Sequence, residues 1–261
     1  MKSSIRLILS FSLMAPVLGG CVTSKAYDQQ PTRVYETVKP AQSVTSGSFS
    51  QQQLDSLLAP IALYPDSLLS HILIASTYPL EVVEAERWSR NNTRLQGEDA
   101  VKAVENQNWD PSIKALVAFP DVLKRMSEDL DWTQQLGDAF LEDEGRVMDS
   151  IQNLRDKAYA SGHLKDTDHV KVVREERVIM IEPAVERVVY VPVYDTRVVY
   201  GPWWWNDYPP VYWHRYSHQV YFSGSFYWGP RVYIGPSFHF SSCHWSNRRV
   251  VIIDHHHHRD Y

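Results

Sequence analysis

Histidine and cysteine side chains near the C-terminus are the groups best suited to bind a metal ion. Imidazole and thiolate are the ligands that zinc, copper and nickel accept. The run of four histidines is followed by Arg259, Asp260 and Tyr261, so we interpret it as native sequence. The alternative is a polar tail with only adventitious metal affinity. The candidate ligands are His239, Cys243, His244, His255, His256, His257 and His258.

Carboxylates on two predicted helices could supply a general acid and a general base for sugar hydrolysis. Acidic residues beside apolar stripes usually form solvated helix faces, and we favour that interpretation here. The chain has neither a G-x-S-x-G nucleophile elbow nor a glycine-rich phosphate loop. His71 lies within an apolar helix and is expected to be a hydrogen-bonded helix histidine. We therefore predict no catalytic residues among the carboxylates Glu81, Glu84, Glu86, Glu128, Asp129 and Asp131.

Aromatic residues are concentrated just after Gly201, around Pro209 and Pro210. Large rings with a polar edge serve at membrane headgroups and on surfaces that bind glycans or proteins. The alternative is that these rings fold back over a neighbouring β unit as its core, and the sequence favours neither. This aromatic patch consists of Trp203, Trp204, Trp205, Tyr208, Tyr212 and Trp213.

The N-terminus has the order of features found in a secretion signal. Lys2 and Arg6 precede an apolar stretch at 7–18, and Leu18-Gly19-Gly20-Cys21 follows. The LGGC tetrad resembles a bacterial lipobox, whose cysteine receives diacylglycerol and, after cleavage, a further acyl chain such as palmitate. Each buried methylene contributes about 0.8 kcal/mol to such an anchor. An ordinary secretory signal or a short buried helix is the alternative.

Composition sets further limits on partners and compartment. Val22 stands where an inner-membrane retention signal would have Asp, which favours the outer membrane. The net charge of −5 becomes more negative once Lys2 and Arg6 are removed, so a nucleic-acid partner is not expected. With Cys21 lipidated, Cys243 has no second cysteine for a disulfide. No later stretch is apolar for the 18 or so residues of a spanning helix, so we predict an anchored protein that does not cross the membrane.

Residues 51–162 are predicted to form the helical domain that would position any site. Aromatic-proline pairs at Tyr64-Pro65, Tyr78-Pro79 and Phe119-Pro120 indicate helix starts, because proline suits the first turn. Asp131 is predicted to cap a helix at 132–142, and the strongest periodicity indicates a helix at 144–160. Before this domain we predict a signal peptide at 1–20 and a disordered tether at 21–50.

Residues 169–200 are predicted to form a small β unit of three or four strands. Valine, isoleucine and tyrosine alternate in VKVVREERVIMIEP and ERVVYVPVYD, and TRVVYG is included as a strand. Pro192 indicates an edge strand or a bulge. Residues 201–261 form an aromatic- and histidine-rich tail, for which we expect a few short strands in partly disordered structure. The fold class is therefore α+β, mainly helical.

Several long motifs resemble the bacterial family known as domain of unknown function 3300. They are LLAPIALYPDSLLSHILIASTYPLEVVEAERW, NWDPSIKALVAFPDVL, LDWTQQLGDAFL with VMDSIQNLRDKA, and IEPAVERVVYVPVYDTRVVYG. The resemblance covers about 51–201 and leaves the tail outside the matched core. It implies a secreted or lipid-anchored envelope protein, and it supplies no catalytic residues.

The expected function is a non-enzymatic interaction or scaffolding module of the cell envelope. We expect it to be lipid-anchored in the outer membrane, to face the periplasm, and to contact envelope proteins or glycans without a cofactor. Metal binding by the tail, with zinc, copper or nickel, is the alternative. An enzyme acting on peptidoglycan or glycan is the third hypothesis.

Overall fold

A computed structural model describes residues 48–216, 221–223, 226–235, 238 and 241–252. These residues belong to one compact unit that begins at Ser46. Cys21, His239 and His255 to His258 lie outside the described residues. Within the described ranges, no helix combines the length and apolar character needed to cross a membrane.

Helices are the main secondary structure of the described chain. In chain order they are α1 (Gln51–Leu58), α2 (Asp66–Ala75), α3 (Pro79–Asn91), α4 (Gly97–Ala103), α5 (Pro111–Leu116), α6 (Pro120–Glu128), α7 (Leu130–Glu142), α8 (Glu144–Ala160) and the short α9 (Thr196–Val199).

Local sequence accounts for most of the helix starts. Pro79, Pro111 and Pro120 each occupy the first turn of a helix, where a missing N–H costs no hydrogen bond. Ser50 caps α1 in a reciprocal capping box with Gln53. Pro65 precedes α2 as its N-cap, one position earlier than the first-turn role we predicted.

The predicted cap of α7 is wrong. Asp129, and not Asp131, accepts a hydrogen bond from the backbone N–H of Trp132 and begins the helix at Leu130. Asp131 lies in the first turn, where its charge is favourable but makes no cap. The helix predicted at 144–160 is confirmed, with Asp143 as its cap.

Nine short strands form small antiparallel sheets within the described residues. The strands are β1 (Val170–Glu175), β2 (Val178–Pro183), β3 (Val188–Val189), β4 (Pro192–Val193), β5 (Tyr221–Ser223), β6 (Phe226–Trp228), β7 (Val232–Tyr233), β8 (Ser241–His244) and β9 (Arg249–Ile252). β1 pairs with β2, β3 with β7, β8 with β9, and β6 lies between β4 and β5.

Two predictions about this region have different outcomes. β4, which begins at Pro192, is an edge strand, as the proline indicated. The strand predicted for TRVVYG is wrong, because Thr196–Val199 is the helical turn α9. Asp195 accepts a hydrogen bond from the Arg197 N–H at 3.0 Å, and this cap outweighs the β preference of the valines.

Residues 59–64, between α1 and α2, form a buried loop whose backbone carbonyls are satisfied by side chains. Tyr194 and Tyr200 donate their hydroxyls to the Ala59 carbonyl at 3.0 and 2.5 Å. Arg155 donates to the carbonyls of Ala62 and Tyr64. Buried carbonyls need such partners, because no solvent reaches them. Side chains from α8 and from the segment around α9 therefore meet at this loop.

The hydrophobic core is continuous from the helices into the C-terminal strands. Phe238 packs on His71 of α2 and on Phe119, with ring centroids 4.4 and 5.4 Å away. Trp228 and Trp245 are also buried in this core. A mainly helical head followed by small antiparallel sheets confirms the α+β class. The domain boundaries proposed at 162, 169 and 201 stay predictions.

Candidate functional site

A groove of about 730 Å³ lies between α3, α6 and β7. Its volume falls within the range of roughly 300 to 1,000 Å³ typical of small-ligand sites. The α3–α4 connection closes one end, where Gly97 approaches the backbone of Tyr233. A β-carbon at Gly97 would lie 2.5 Å from the Tyr233 carbonyl oxygen, so the close approach requires glycine.

The buried faces of α3 and α6 determine which side chains reach the groove. Val82 and Ala85 of α3, with Leu123 and Met126 of α6, are buried in the core. A helix that buries one stripe presents the other to solvent. The groove walls are consequently charged: they contain Glu86, Arg87 and Arg90 on α3, and Asp121, Lys124 and Glu128 on α6.

Charges in the groove are unevenly paired. Arg90 lies 3.6 Å from Glu86 and Lys124 lies 3.7 Å from Glu128, both pairs one helical turn apart. Arg87 on α3 and Arg231 beside β7 have no acidic partner within the described residues. The guanidinium of Arg231 lies 5.6 Å from the Tyr233 ring centroid. The groove therefore contains two arginines outside these ion pairs, and its lining sums to +1, from Arg87, Arg90, Lys124 and Arg231 against Glu86, Asp121 and Glu128.

A second, smaller cavity of about 10 Å³ adjoins the groove at Asp121. Arg125 and Trp213 line it, and their Nη2 and Nε1 atoms are buried without a hydrogen-bond partner in the described part of the chain. The Arg125 guanidinium also lies 4.0 Å from the Tyr216 ring centroid. Two unused donors make this cavity favourable for a hydrogen-bond acceptor.

A buried arginine organises the opposite side of the helical head. Arg155 is fully buried, and its Nη1 atom lies 2.6 Å from the Asp66 carboxylate. Besides the two loop carbonyls, it donates to the Ile179 carbonyl of β2 at 2.8 Å. The indole of Trp245 donates to Asp66 at 2.7 Å and stacks near the guanidinium. Every contact is internal, so this cluster stabilises the fold.

His71 has the structural role expected from its position in an apolar helix. One ring nitrogen lies 2.8 Å from the Phe238 carbonyl and the other 2.8 Å from the Ser241 hydroxyl. Ser241 in turn contacts the Ser70 hydroxyl at 2.9 Å. All three polar side chains are buried. These three side chains therefore join β8 to α2, and they are not accessible to a substrate.

The aromatic patch covers α1 and α7. The indoles of Trp204 and Trp205 donate to the buried Asp55 carboxylate at 3.1 and 2.8 Å. Trp213 is buried against Trp132, with ring centroids 4.7 Å apart. The patch thus packs on the helical head, an arrangement that neither sequence interpretation included.

The remaining members of the patch are more accessible. Trp203 is half-buried and donates to the Tyr208 carbonyl at 2.8 Å, while the Tyr208 side chain is exposed. The guanidinium of Arg197 lies 4.3 Å from the ring centroid of Tyr212, which is half-buried. An interaction role for the patch stays a prediction.

Two of the predicted metal ligands fall within the described residues. Cys243 packs against the core, and its Sγ lies 3.5 Å from the Asp66 carbonyl. Burial raises the pKa of the Cys243 thiol well above its ordinary value, which disfavours the thiolate that a metal needs. His244 is exposed beside Ser246.

No group of three or more histidine, cysteine or acidic side chains is arranged to hold a metal ion in the described ranges. His239, His255, His256, His257 and His258 lie outside these ranges. The metal-binding interpretation therefore stays a prediction.

The acidic residues considered for catalysis hold structural contacts. Glu81 accepts a hydrogen bond from the Asp110 N–H at 2.6 Å, and Glu84 accepts one from the Trp109 indole at 3.0 Å. Glu128 accepts one from the Tyr216 hydroxyl at 3.1 Å. Glu86 and Glu128 lie in the same groove, whereas Glu81 and Glu84 do not line it.

These features define an α+β protein with a helical head, a charged groove and a side-chain network around one buried loop. The chain belongs to the family described as protein of unknown function (DUF3300), whose model matches residues 50–261. The family resemblance is thus confirmed. The family match continues through the tail, so the predicted end of the resemblance at about residue 201 was wrong.

An uncharacterized protein of Escherichia coli K12, YacH, is 42% identical to this chain. The matched region covers 67% of this chain and 33% of YacH, so the chain spans about a third of that relative's length. No solved structure gives a significant match.

Sequence reasoning missed the groove and the roles of Asp55 and Arg155. A signal for Arg155 was present, because it follows Met148 and Ile151 on the apolar stripe of α8 and precedes Ala158. A charged residue on such a stripe indicates an internal partner. The groove had no comparable signal, since its walls come from helices and a strand far apart in sequence.

Proposed function

We propose that the protein is a non-enzymatic interaction module of the cell envelope that binds a partner in the groove between α3 and α6. The proposal depends on one observation, a charged groove with a volume of about 730 Å³ between two packed helices. Sites of this kind are the default binding surfaces of a rigid scaffold.

A non-enzymatic role is supported by what the carboxylates contact. A glycosidase needs one carboxylic acid and one carboxylate placed across the scissile bond. Glu86 lies beside Arg90 and Glu128 beside Lys124, so both groove glutamates are arranged for charge recognition. A glycan-active enzyme is the second candidate, favoured by the position of both in one groove.

Attachment to the outer membrane through Cys21 is the second part of the proposal. It is supported by the order of positive charge, apolar stretch and LGGC in the first 21 residues, with Val22 after the cysteine. As a flexible chain, the tether that the sequence predicts at 21–50 would span roughly 30 Å, enough to hold the head near the bilayer and clear of it.

Site-specific photocrosslinking in living cells tests the groove. A benzophenone amino acid is placed at Ser127, which lines the groove, or at Asp138, an exposed residue of α7 outside it. We expect a defined crosslinked product from Ser127 and none from Asp138. Identical patterns at both positions, or no product from Ser127, would remove the support for a groove-binding function.

The enzyme hypothesis is tested with purified peptidoglycan sacculi. We expect the mature protein to release no soluble fragments above the level of a Glu86→Gln, Glu128→Gln double variant. Release that depends on these two glutamates would contradict the non-enzymatic proposal and favour the second candidate.

A further inference from the structure

We propose that the groove binds an extended acidic peptide whose carboxylates pair with Arg87 and Arg231. This inference rests on the proposed binding function and adds the chemistry of the ligand. It begins from the charges in the groove, where Glu86 and Glu128 already contact Arg90 and Lys124.

The two arginines lie on different walls of one concavity. Arg87 belongs to α3, and Arg231 immediately precedes β7. Both are exposed, and neither has an acidic partner among the residues that the structure describes. The lining carries one more cation than carboxylates, so the groove favours an anionic ligand. Guanidinium binds carboxylate through two parallel hydrogen bonds.

Apolar side chains between the charges favour a peptide over a small anion. Leu95 and Tyr233 line the groove and are 37% and 56% exposed. Val83 and Pro120 contribute further apolar surface. An extended peptide with alternating acidic and apolar residues would place carboxylates on the arginines and bury the apolar side chains between them.

The concave shape also favours a peptide over a membrane surface. Arg87 of α3 and Arg231 beside β7 line one concavity, and a concave site suits an inserted chain better than a flat bilayer. Anionic phospholipid is therefore kept as an outcome of the test.

The test measures fluorescence anisotropy with the full mature chain in detergent. The probe is a fluorescein-labelled Glu-Leu-Glu-Leu-Glu peptide, and the control is Gln-Leu-Gln-Leu-Gln. We expect Arg87→Gln and Arg231→Gln each to weaken binding of the acidic peptide about tenfold, the scale of one charge-assisted hydrogen-bond contact. Binding should also weaken as salt increases, because salt screens exposed charges.

Arg177→Gln is the matched control. Arg177 is an exposed arginine in the turn between β1 and β2, also without an acidic partner in the described residues, and it does not line the groove. This variant should bind the acidic peptide as the wild type does. Circular dichroism verifies that all three variants keep the helical fold.

Three results would overturn the proposal: equal affinity for the glutamine peptide, equal losses for Arg177→Gln, or arginine-dependent binding to phosphatidylglycerol vesicles without peptide binding. If the Ser127 crosslink persists in cells that produce the Arg87→Gln, Arg231→Gln variant, the groove still binds a partner and only its acidic character is wrong. If the wild-type protein gives neither the Ser127 crosslink nor binding of the acidic peptide, the proposed function itself is contradicted.

Discussion

Arg155 joins three parts of the chain through a single guanidinium. It bonds the loop at 59–64, the Asp66 carboxylate of α2 and the Ile179 carbonyl of β2, and it has no exposed surface. Because each acceptor is internal, removal of the guanidinium leaves several polar groups without partners. The loss cannot be repaired by solvent in the intact fold.

Replacement of this residue gives a stability prediction. Arg155→Met should lower the free energy of unfolding by about 3 kcal/mol or more, because it leaves Asp66 without its cation and the carbonyls of Ala62 and Tyr64 without their side-chain donor. Equilibrium urea unfolding followed by circular dichroism measures the change.

Arg174→Met is the control for this prediction. Arg174 is an exposed arginine that lies 3.7 Å from Asp156. An exposed ion pair contributes about 0 to 1 kcal/mol, so this variant should be close to the wild type. Similar losses in the two variants would show that Arg155 acts only as a surface charge.

Gly137 allows α7 to approach the turn between α2 and α3. A β-carbon at this position would clash with the Ser76 carbonyl oxygen, and that backbone belongs to a packed turn. Gly137→Ala should therefore destabilise the protein by about 1 to 3 kcal/mol through overpacking, despite the better helix propensity of alanine. The midpoint of thermal unfolding is the measurement.

Gly145→Ala is the matched helix variant. Its β-carbon would lie 3.3 Å from the Asp143 carboxylate oxygen that caps α8, and a shift of a few tenths of an ångström relieves this contact. The change in stability should stay within about 1 kcal/mol. A larger loss for Gly145→Ala than for Gly137→Ala would contradict the role given to close packing at α7.

At the level of elements, the sequence predicted those whose signals are local. Pro79 and Pro120 each mark the start of a helix. The apolar stripe of α8 marks its buried face within a few residues. TRVVYG was mispredicted because three β-prone residues competed with one capping side chain, Asp195. The groove was not predictable, since it requires knowing that α3 packs beside α6 and that β7 closes the same side.

For the molecule as a whole, buried tyrosines around the loop at 59–64 predict alkaline instability. Burial raises the pKa of Tyr64, Tyr194 and Tyr200 well above the ordinary value. In the unfolded chain these hydroxyls lose protons near pH 10. The unfolded state then binds fewer protons than the folded state, so stability is complete below that pH and decreases above it.

The expected decrease at pH 11 is about 1.4 kcal/mol for each buried tyrosine, relative to pH 8. Urea unfolding at both pH values measures it, and tyrosinate absorbance reports ionisation. Tyr200→Phe should be less stable at pH 8, because it loses the bond to Ala59, yet should lose less on going to pH 11. If Tyr200→Phe loses as much stability between pH 8 and pH 11 as the wild type does, ionisation of Tyr200 does not contribute to the alkaline instability.

The proposed membrane attachment through Cys21 also concerns the whole molecule. Cys21→Ala should release the protein from the membrane fraction and abolish incorporation of radiolabelled palmitate. Cys243→Ser, which changes the other cysteine, should leave both unchanged. Labelled palmitate on the Cys21→Ala variant would show that Cys21 is not the lipidated residue.

The pairing of strands has a consequence for how the chain folds. β3 and β4 pair with β7 and β6, which follow far along the sequence, as in the contact of Val188 with Tyr233. Pairs so distant are slow to close, because the loop between them must be ordered first. As the chain is synthesised, β3 and β4 must wait with open edges until β6 and β7 have formed. Open strand edges are prone to aggregate, so this interval is when a chaperone would matter most.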